Sequence, residues 1–304
     1  MRLDVRLLNT FEGHKSSIYA LAEEADGVFF SAGGDGIVAQ WNVHDHERAV
    51  MLARVQNPVF AMYVHPQARQ LVVAENHEGL HWIDLAQKKE IASLALSKKR
   101  FFDIQPLDEH HLLVAGEEGV LFVVNSETFR CVEKIRLSQD RLRSIAVHPQ
   151  QSVVAVGGSE GVMFLLDKAS LQLKQRFEAH SASIFTLRFH PAGTYLLSGG
   201  RDARLKVWDA TADFALKQEI PAHYYTLNTL AFHHQGGDFV TGSMDKTIKW
   251  WDGDTLRLLK VIDRQRYQGH NSSVNTLIWM KYKNLILSAG DDRTVKAWKI
   301  KSHE

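Results

Sequence analysis

The sequence predicts an all-β chain made of seven copies of one repeated unit, and three features of its 304 residues carry that reading. Four segments superpose without gaps: SAGGDGIVAQW (31–41), SGGRDARLKVW (198–208), TGSMDKTIKWW (241–251) and SAGDDRTVKAW (288–298). Each has a Ser or Thr, an Asp four residues on and a Trp six beyond that. Three weaker copies lie between the first and second, VVAENHEGLHWID, LLVAGEEGVLFVVN and VVAVGGSEGVMFLLD, each keeping an acid-glycine turn at Glu78-Gly79, Glu118-Gly119 or Glu160-Gly161. Finally, the apolar anchors of the preceding strands, Ile18, Val59, Phe101, Leu142, Ile184, Leu227 and Val274, recur every 41 to 47 residues. A period in that range identifies a repeat architecture, and the alternation in stretches such as SIFTLRFHP (183–191) is the period-2 signature of a strand.

The units, taken in chain order, differ in what holds them. A histidine precedes the strand in the first, fifth, sixth and seventh (His14, His180, His223, His270), and these units carry Trp41-Asn42, Trp208-Asp209, Trp251-Asp252 and Trp298-Lys299. Over almost the whole chain this pattern resembles the WD-repeat family of β-propellers. The resemblance implies one seven-bladed β-propeller domain over residues 1–304, each blade a four-stranded antiparallel sheet. It also implies four hydrogen-bonded tetrads: His14, Ser31, Asp35, Trp41; His180, Ser198, Asp202, Trp208; His223, Thr241, Asp245, Trp251; and His270, Ser288, Asp292, Trp298. A buried hydroxyl or indole N–H without a partner costs about 1 to 3 kcal/mol, which is the physical reason for such a chain of bonds. Blades two to four lack the tetrad, so their rigidity must come from apolar packing. The glycine pairs at 33–34, 157–158 and 199–200 are expected to lead into turns that need positive φ. After Trp298 only KIKSHE remains, too little for a turn and an outer strand, whereas LDVRLLNTF (3–11) has strand character and no blade of its own. As in the family, the N-terminal segment, residues 1–10, is expected to complete the last blade and close the ring, removing exposed sheet edges.

Composition narrows the function classes. With 36 Lys plus Arg against 35 Asp plus Glu, no whole-molecule field draws a polyanion or an anionic membrane. The single cysteine, Cys131, excludes an internal disulfide and a thiolate-rich zinc site. The start MRLDVRLLNTF lacks the apolar stretch of a signal peptide, and no run approaches the roughly 20 apolar residues that cross a bilayer. These features read as a soluble cytoplasmic protein. Of the sixteen histidines, four are tetrad members and His65, His148, His190 and His233 recur at one place in the repeat. Equivalent positions spread round a ring cannot converge on one ion, and the HDHE stretch at 44–47 falls in a turn where polar residues need no special reason. There is no glycine-rich phosphate loop and no nucleophile elbow. The expectation is a non-catalytic chain without cofactor or metal.

Functional candidates are the positions that the repeat does not require. In the family, residues flanking the first-strand anchor emerge on the rim of the channel entrance. The residues after the anchor are Tyr19, Phe60, Phe102, Arg143, Phe185, Asn228 and Asn275, and those before it include Arg100 and Arg141. The residue preceding the hairpin acid reaches the same face, adding Glu117, Ser159, Arg201 and Met244 among others. Aromatic and arginine side chains are the types enriched at binding hot spots, and arginine's planar fork matches a carboxylate or phosphate. Tyr19, Phe60, Arg100, Phe102, Arg141, Arg143, Phe185 and Arg201 are therefore the candidate partner-binding residues. The expected partner is a protein or extended peptide with an acidic or phosphorylated element. The alternatives are pairing of these arginines with Glu117, Glu118 and Glu160, a nucleic-acid-binding rim, and a hydrolase or small-molecule site in the channel. The stretch KKRFF (98–102) poses the question most sharply: one ring can enter the core, and the adjacent one must point elsewhere.

Overall fold

A computed structural model describes residues 2–303. The strands form seven four-stranded antiparallel sheets, the blades of a seven-bladed β-propeller. In the first blade they are Ile18–Glu23, Val28–Gly33, Ile37–Asn42 and Asp45–Arg54. Two compact units divide the chain, Met1–Val59 with His223–Glu304, and Phe60–Ala222. The former holds blades one, six and seven and the latter blades two to five.

Within a blade the hydrophobic pattern sets the strand order. Third strands such as Val120–Asn125 (VLFVVN) are near-continuous apolar runs buried on both faces. Fourth strands such as Arg130–Arg136 (RCVEKIR) lie mostly exposed, with charged residues blunting the free edge. First strands carry the feature that matters most for function. In six of them the ladder to the second strand slips directly after the anchor, between Ile18 and Ala20, Phe101 and Asp103, Leu142 and Ser144, Ile184 and Thr186, Leu227 and Thr229, and Val274 and Thr276. The skipped residues are Tyr19, Phe102, Arg143, Phe185, Asn228 and Asn275. A β-bulge leaves one residue unpaired and re-aims its side chain, so the anchor stays in the core while its neighbour leaves it. Phe101 is accordingly fully buried and Phe102 only partly so.

Blades are linked by side chains two residues past the anchor. The amide of Ile145 donates to Asp103 at 2.8 Å and that of Leu187 to the Ser144 hydroxyl at 3.0 Å; in the other unit Leu277 donates to Thr229 at 3.2 Å. Glycines at the hairpins depart from expectation. Gly33 and Gly200 do not have positive φ; what they supply is room, since an added Cβ would lie 2.0 Å from Ser17 O and 2.1 Å from Ser183 O. Positive φ falls instead on the turn residue after the acid, and Ala203 (φ 61°) and Lys246 (φ 74°) adopt it as Gly161 does.

The N-terminal strand Arg2–Glu12 pairs antiparallel with Thr294–His303 and completes the last sheet, as the sequence leads one to expect. Its Phe11 is buried edge-on against Phe29 and Trp41 of blade one, at ring distances of 5.0 and 5.6 Å, and Asn9 donates to Val43 O at 2.8 Å. The strand thus joins two blades. Elsewhere the residue after the tetrad tryptophan caps a turn: Asn42 accepts from the amide of His44, Asp209 from Thr211 and Asp252 from Thr255. Lys299 occupies that place in blade seven, where no turn follows because the strand runs on to His303.

Four hydrogen-bonded chains run through blades one, five, six and seven. Trp41 Nε1 donates to Ser31 Oγ at 2.7 Å, and His14 Nε2 lies 2.8 Å from the same oxygen with Nδ1 3.1 Å from Asp35. The corresponding distances in blade seven are 2.8, 2.7 and 2.8 Å for Trp298, His270 and Asp292 around Ser288. An indole can only donate, so the hydroxyl accepts from it and gives its own proton to Nε2, which leaves Nδ1–H for the carboxylate. Burial alone would raise the carboxyls of Asp35, Asp202, Asp245 and Asp292. Backbone amides and the histidine partner outweigh it and hold all four low, Asp292 at about 2. Burial pushes His223 down, against the pull of Asp245.

Two outcomes follow from these contacts. Deleting residues 1–10 is expected to lower the melting temperature by at least about 10 °C, since it removes most of the closing strand, with buried Val5 and the Asn9 bond to Val43, at several kcal/mol; calorimetry checks this, and an unchanged melt would refute the closure. A carboxyl held low in the fold stabilises above its unfolded pKa near 4 and loses that contribution as pH falls through the folded value. His223, lowered by burial, acts in the same direction from about pH 6.5 downward. Melting temperature should therefore be level above about pH 6.5, decline gently to pH 4 and fall steeply below it, and Asp292→Asn should lower stability at pH 7 while flattening the acid limb.

Candidate functional site

The residues that follow the anchors of blades two to five do not point apart. They stack into one ladder. Phe60 and Phe102 lie nearly parallel, 5.9 Å apart with 12° between their planes. The guanidinium carbon of Arg143 sits 4.2 Å above the centre of Phe102 and 5.1 Å from that of Phe185, so the cation is wedged between two rings. Each such cation–π contact is worth about 0.5 to 2 kcal/mol, more as water is excluded. Arg143 Nε donates to Ser159 Oγ at 3.1 Å, which fixes the plane of the guanidinium.

Charge collects beside this ladder. Arg100 and Arg141, both exposed, reach one carboxylate: their Nε atoms lie 3.5 and 3.2 Å from the two oxygens of Glu117. The amide of Arg100 also donates to Glu117, at 3.3 Å. Arg143 is brought down to about 10, chiefly by desolvation and then by the like charges of Arg141 and Arg100, with Glu117 opposing. Three arginines are thus balanced by one glutamate. Among the described residues Glu118 and Glu160 do not join them: their carboxylates accept from Ser97 and Ser138, at 2.9 Å each.

Other candidates are placed differently. Arg201 is exposed; its amide bonds Ser183 O, and no contact ties its side chain to the ladder among the described residues. Tyr19 occupies the same bulge position in the other compact unit. There the equivalent asparagines are spent on structure, Asn228 donating to Val274 O at 2.9 Å and Asn275 to Ile18 O at 3.2 Å. The sequence reading overlooked the tyrosine pair of blade six: Tyr224 and Tyr225 are 90% and 63% exposed beside Met244 at 55%. Two adjacent aromatics before a strand were the available signal. The recurring histidines cap turns and bridge blades, His148 Nδ1 accepting from the amide of Gln151 at 2.8 Å while Nε2 bonds Gly193 O at 2.9 Å. His44 of the HDHE stretch bonds the Tyr282 hydroxyl at 2.7 Å.

Nothing in this arrangement supplies a nucleophile paired with a base. What it can do is hold something: a stacked apolar face flanked by an excess of guanidinium groups. No helix among the described residues is long and apolar enough to cross a membrane.

The profile of the WD domain, G-beta repeat, matches residues 5–42, 171–209, 214–252 and 263–299, together just over half of the chain. The matched repeat is offset from the blade. Residues 5–42 take in the N-terminal strand and the first three strands of blade one, so the repeat in sequence begins with an outer strand that belongs to another sheet. No curated protein matches the chain closely enough to count as a relative. Proteins of this family generally act as protein-interaction scaffolds and are typically non-catalytic. The four matched repeats are the ones that carry the tetrads, and by them the chain belongs to the WD40 repeat family.

Proposed function

We propose that this chain is a non-catalytic scaffold, one propeller domain over residues 1–304, that captures a partner protein or extended peptide on the rim of its channel entrance. The single observation that carries the reading is the ladder Phe60, Phe102, Arg143 and Phe185 with Arg100 and Arg141 beside it. Aromatic and arginine side chains gathered at one place are what a binding hot spot is made of. The rings offer an apolar anchor of low conformational cost, and the surplus of arginine favours an acidic or phosphorylated group on the partner. Arg201 of blade five belongs to the same proposed set, and Tyr19 is the corresponding proposed contact residue of the other compact unit.

A nucleic-acid reading uses the same ingredients, but the net charge of +1 provides no broad phosphate-attracting field. Labelled single-stranded nucleic acid titrated at two salt concentrations separates the two, since phosphate-driven binding weakens steeply with salt.

Arg100→Glu with Arg141→Glu is the decisive variant, because both side chains are exposed and reversing them leaves the packed Arg143 untouched. Partners recovered with the wild-type protein and identified by mass spectrometry should be lost from the variant while its melt stays unchanged. Retention of the partners would move the site elsewhere. The two rings of KKRFF should also separate: Phe101→Ala, at a fully buried position, is expected to cost about 3 to 5 kcal/mol. Phe102→Ala should cost on the order of 1 kcal/mol and weaken the partner, as measured by urea melts and pull-down.

A further inference from the structure

The anion slot between Arg100 and Arg141 is already filled by a group of the protein's own. Glu117 presents one oxygen to each arginine, at 3.5 and 3.2 Å, and its side chain is only 17% exposed. Both arginines reach Glu117 through Nε and are nearly half exposed, at 45% and 44%, and their terminal N–H groups make no hydrogen bond to a carboxylate among the described residues. Arg143 lies within the electrostatic reach of all three, repelled by the two arginines and attracted by Glu117. Three positive charges and one negative charge leave a formal surplus of two.

We propose that Glu117 is the resident occupant of this site, and that the site therefore takes a dianionic phosphomonoester in preference to a carboxylate or a phosphodiester; this rests on the partner-binding reading of the surface and names the group it recognises. A carboxylate that enters must exchange with Glu117 like for like. It gains no charge, and it strands Glu117 without its arginines. A phosphomonoester carries nearly two charges above pH 7 and three strong acceptor oxygens, which matches the surplus and can meet the free N–H groups while Glu117 stays. A phosphodiester, the unit of a nucleic-acid backbone, carries one charge and leaves one unmatched. Arg143 has a supporting part: held in plane by Ser159 and wedged between Phe102 and Phe185, it adds a fixed positive charge in a setting where water screens it little.

The test uses the intact protein at pH 8 and low salt, titrated with methyl phosphate, dimethyl phosphate and acetate. The readout is the arginine Nε–H resonances, assigned through Arg100→Lys and Arg141→Lys. Methyl phosphate should half-saturate the Arg100 and Arg141 signals at a concentration about tenfold lower than either monoanion, a gap of about 1.4 kcal/mol. In Glu117→Gln, with its melt checked against the wild type, acetate should tighten by about tenfold because it no longer competes with a resident carboxylate. Equal half-saturation by all three anions in the wild-type protein would overturn the proposal, as would unchanged acetate binding in a folded Glu117→Gln. The wild-type comparison stands even if that variant fails to fold. The anion preference is read without any partner, so a partner that survives Arg100→Glu with Arg141→Glu would defeat the scaffold reading and leave this result to be judged separately.

Discussion

Where both faces of a sheet are covered by its neighbours, a strand in regular register buries adjacent side chains alike, one on each face, and so cannot bury one and display the next. The one-residue slip after six of the anchors resolves this. Ile18, Phe101, Leu142, Ile184, Leu227 and Val274 keep their places in the core, and the residue that follows is freed from the ladder. Much else depends on that slip. It brings the side chain two places past the anchor to the amides of the next blade, as Asp103 and Ser144 show. It also frees one residue in each of those six blades to differ in character from its neighbours. Phe102, Arg143 and Phe185 there form a stacked, cationic surface on blades three to five, which Phe60 of blade two joins, whereas asparagine there gives a structural clip between blades six, seven and one.

The blades are held in two ways, and the difference lies along the chain. Blades one, five, six and seven each thread an indole, a hydroxyl, an imidazole and a carboxylate into one satisfied chain of donors and acceptors. Blades three and four replace that chain by aliphatic and aromatic packing, with Val114, Phe122 and Val124 in one cluster and Val154, Phe164 and Leu166 in another. The ladder and the arginine cluster are rooted mainly in the blades without tetrads. A polar chain demands fixed residue types at fixed places. Apolar packing asks only for volume, and so leaves the hairpins free to carry Glu117 and Ser159.

Most of the fold was legible in the sequence because both periods, two within strands and 41 to 47 between anchors, are local properties. The seven units followed from alignment of the chain with itself, and the completing N-terminal strand from the resemblance to the family. The glycines of the hairpins were read for the wrong reason: their need is for space beside Ser17 O and Ser183 O, a contact across strands that no turn rule contains. Lys299 likewise looks like a lapse in the repeat until the strand is seen to continue past it to pair with the N-terminal segment.

For the candidate site, register determined which side chains follow the buried anchors, since a single residue's position in its own strand decides that. Only the tertiary structure decided what they do to one another. Phe60, Phe102, Arg143 and Phe185 are about forty residues apart in sequence, and their stacking depends on how successive blades are rotated and spaced, which no local pattern encodes. The same holds for Glu117. The sequence offers it together with Glu118 and Glu160 as possible partners of the arginines, and hydrogen bonds from Ser97 and Ser138 take the other two away. Which carboxylate neutralises which cation is settled by distances of a few ångströms between blades, and those belong to the folded molecule alone.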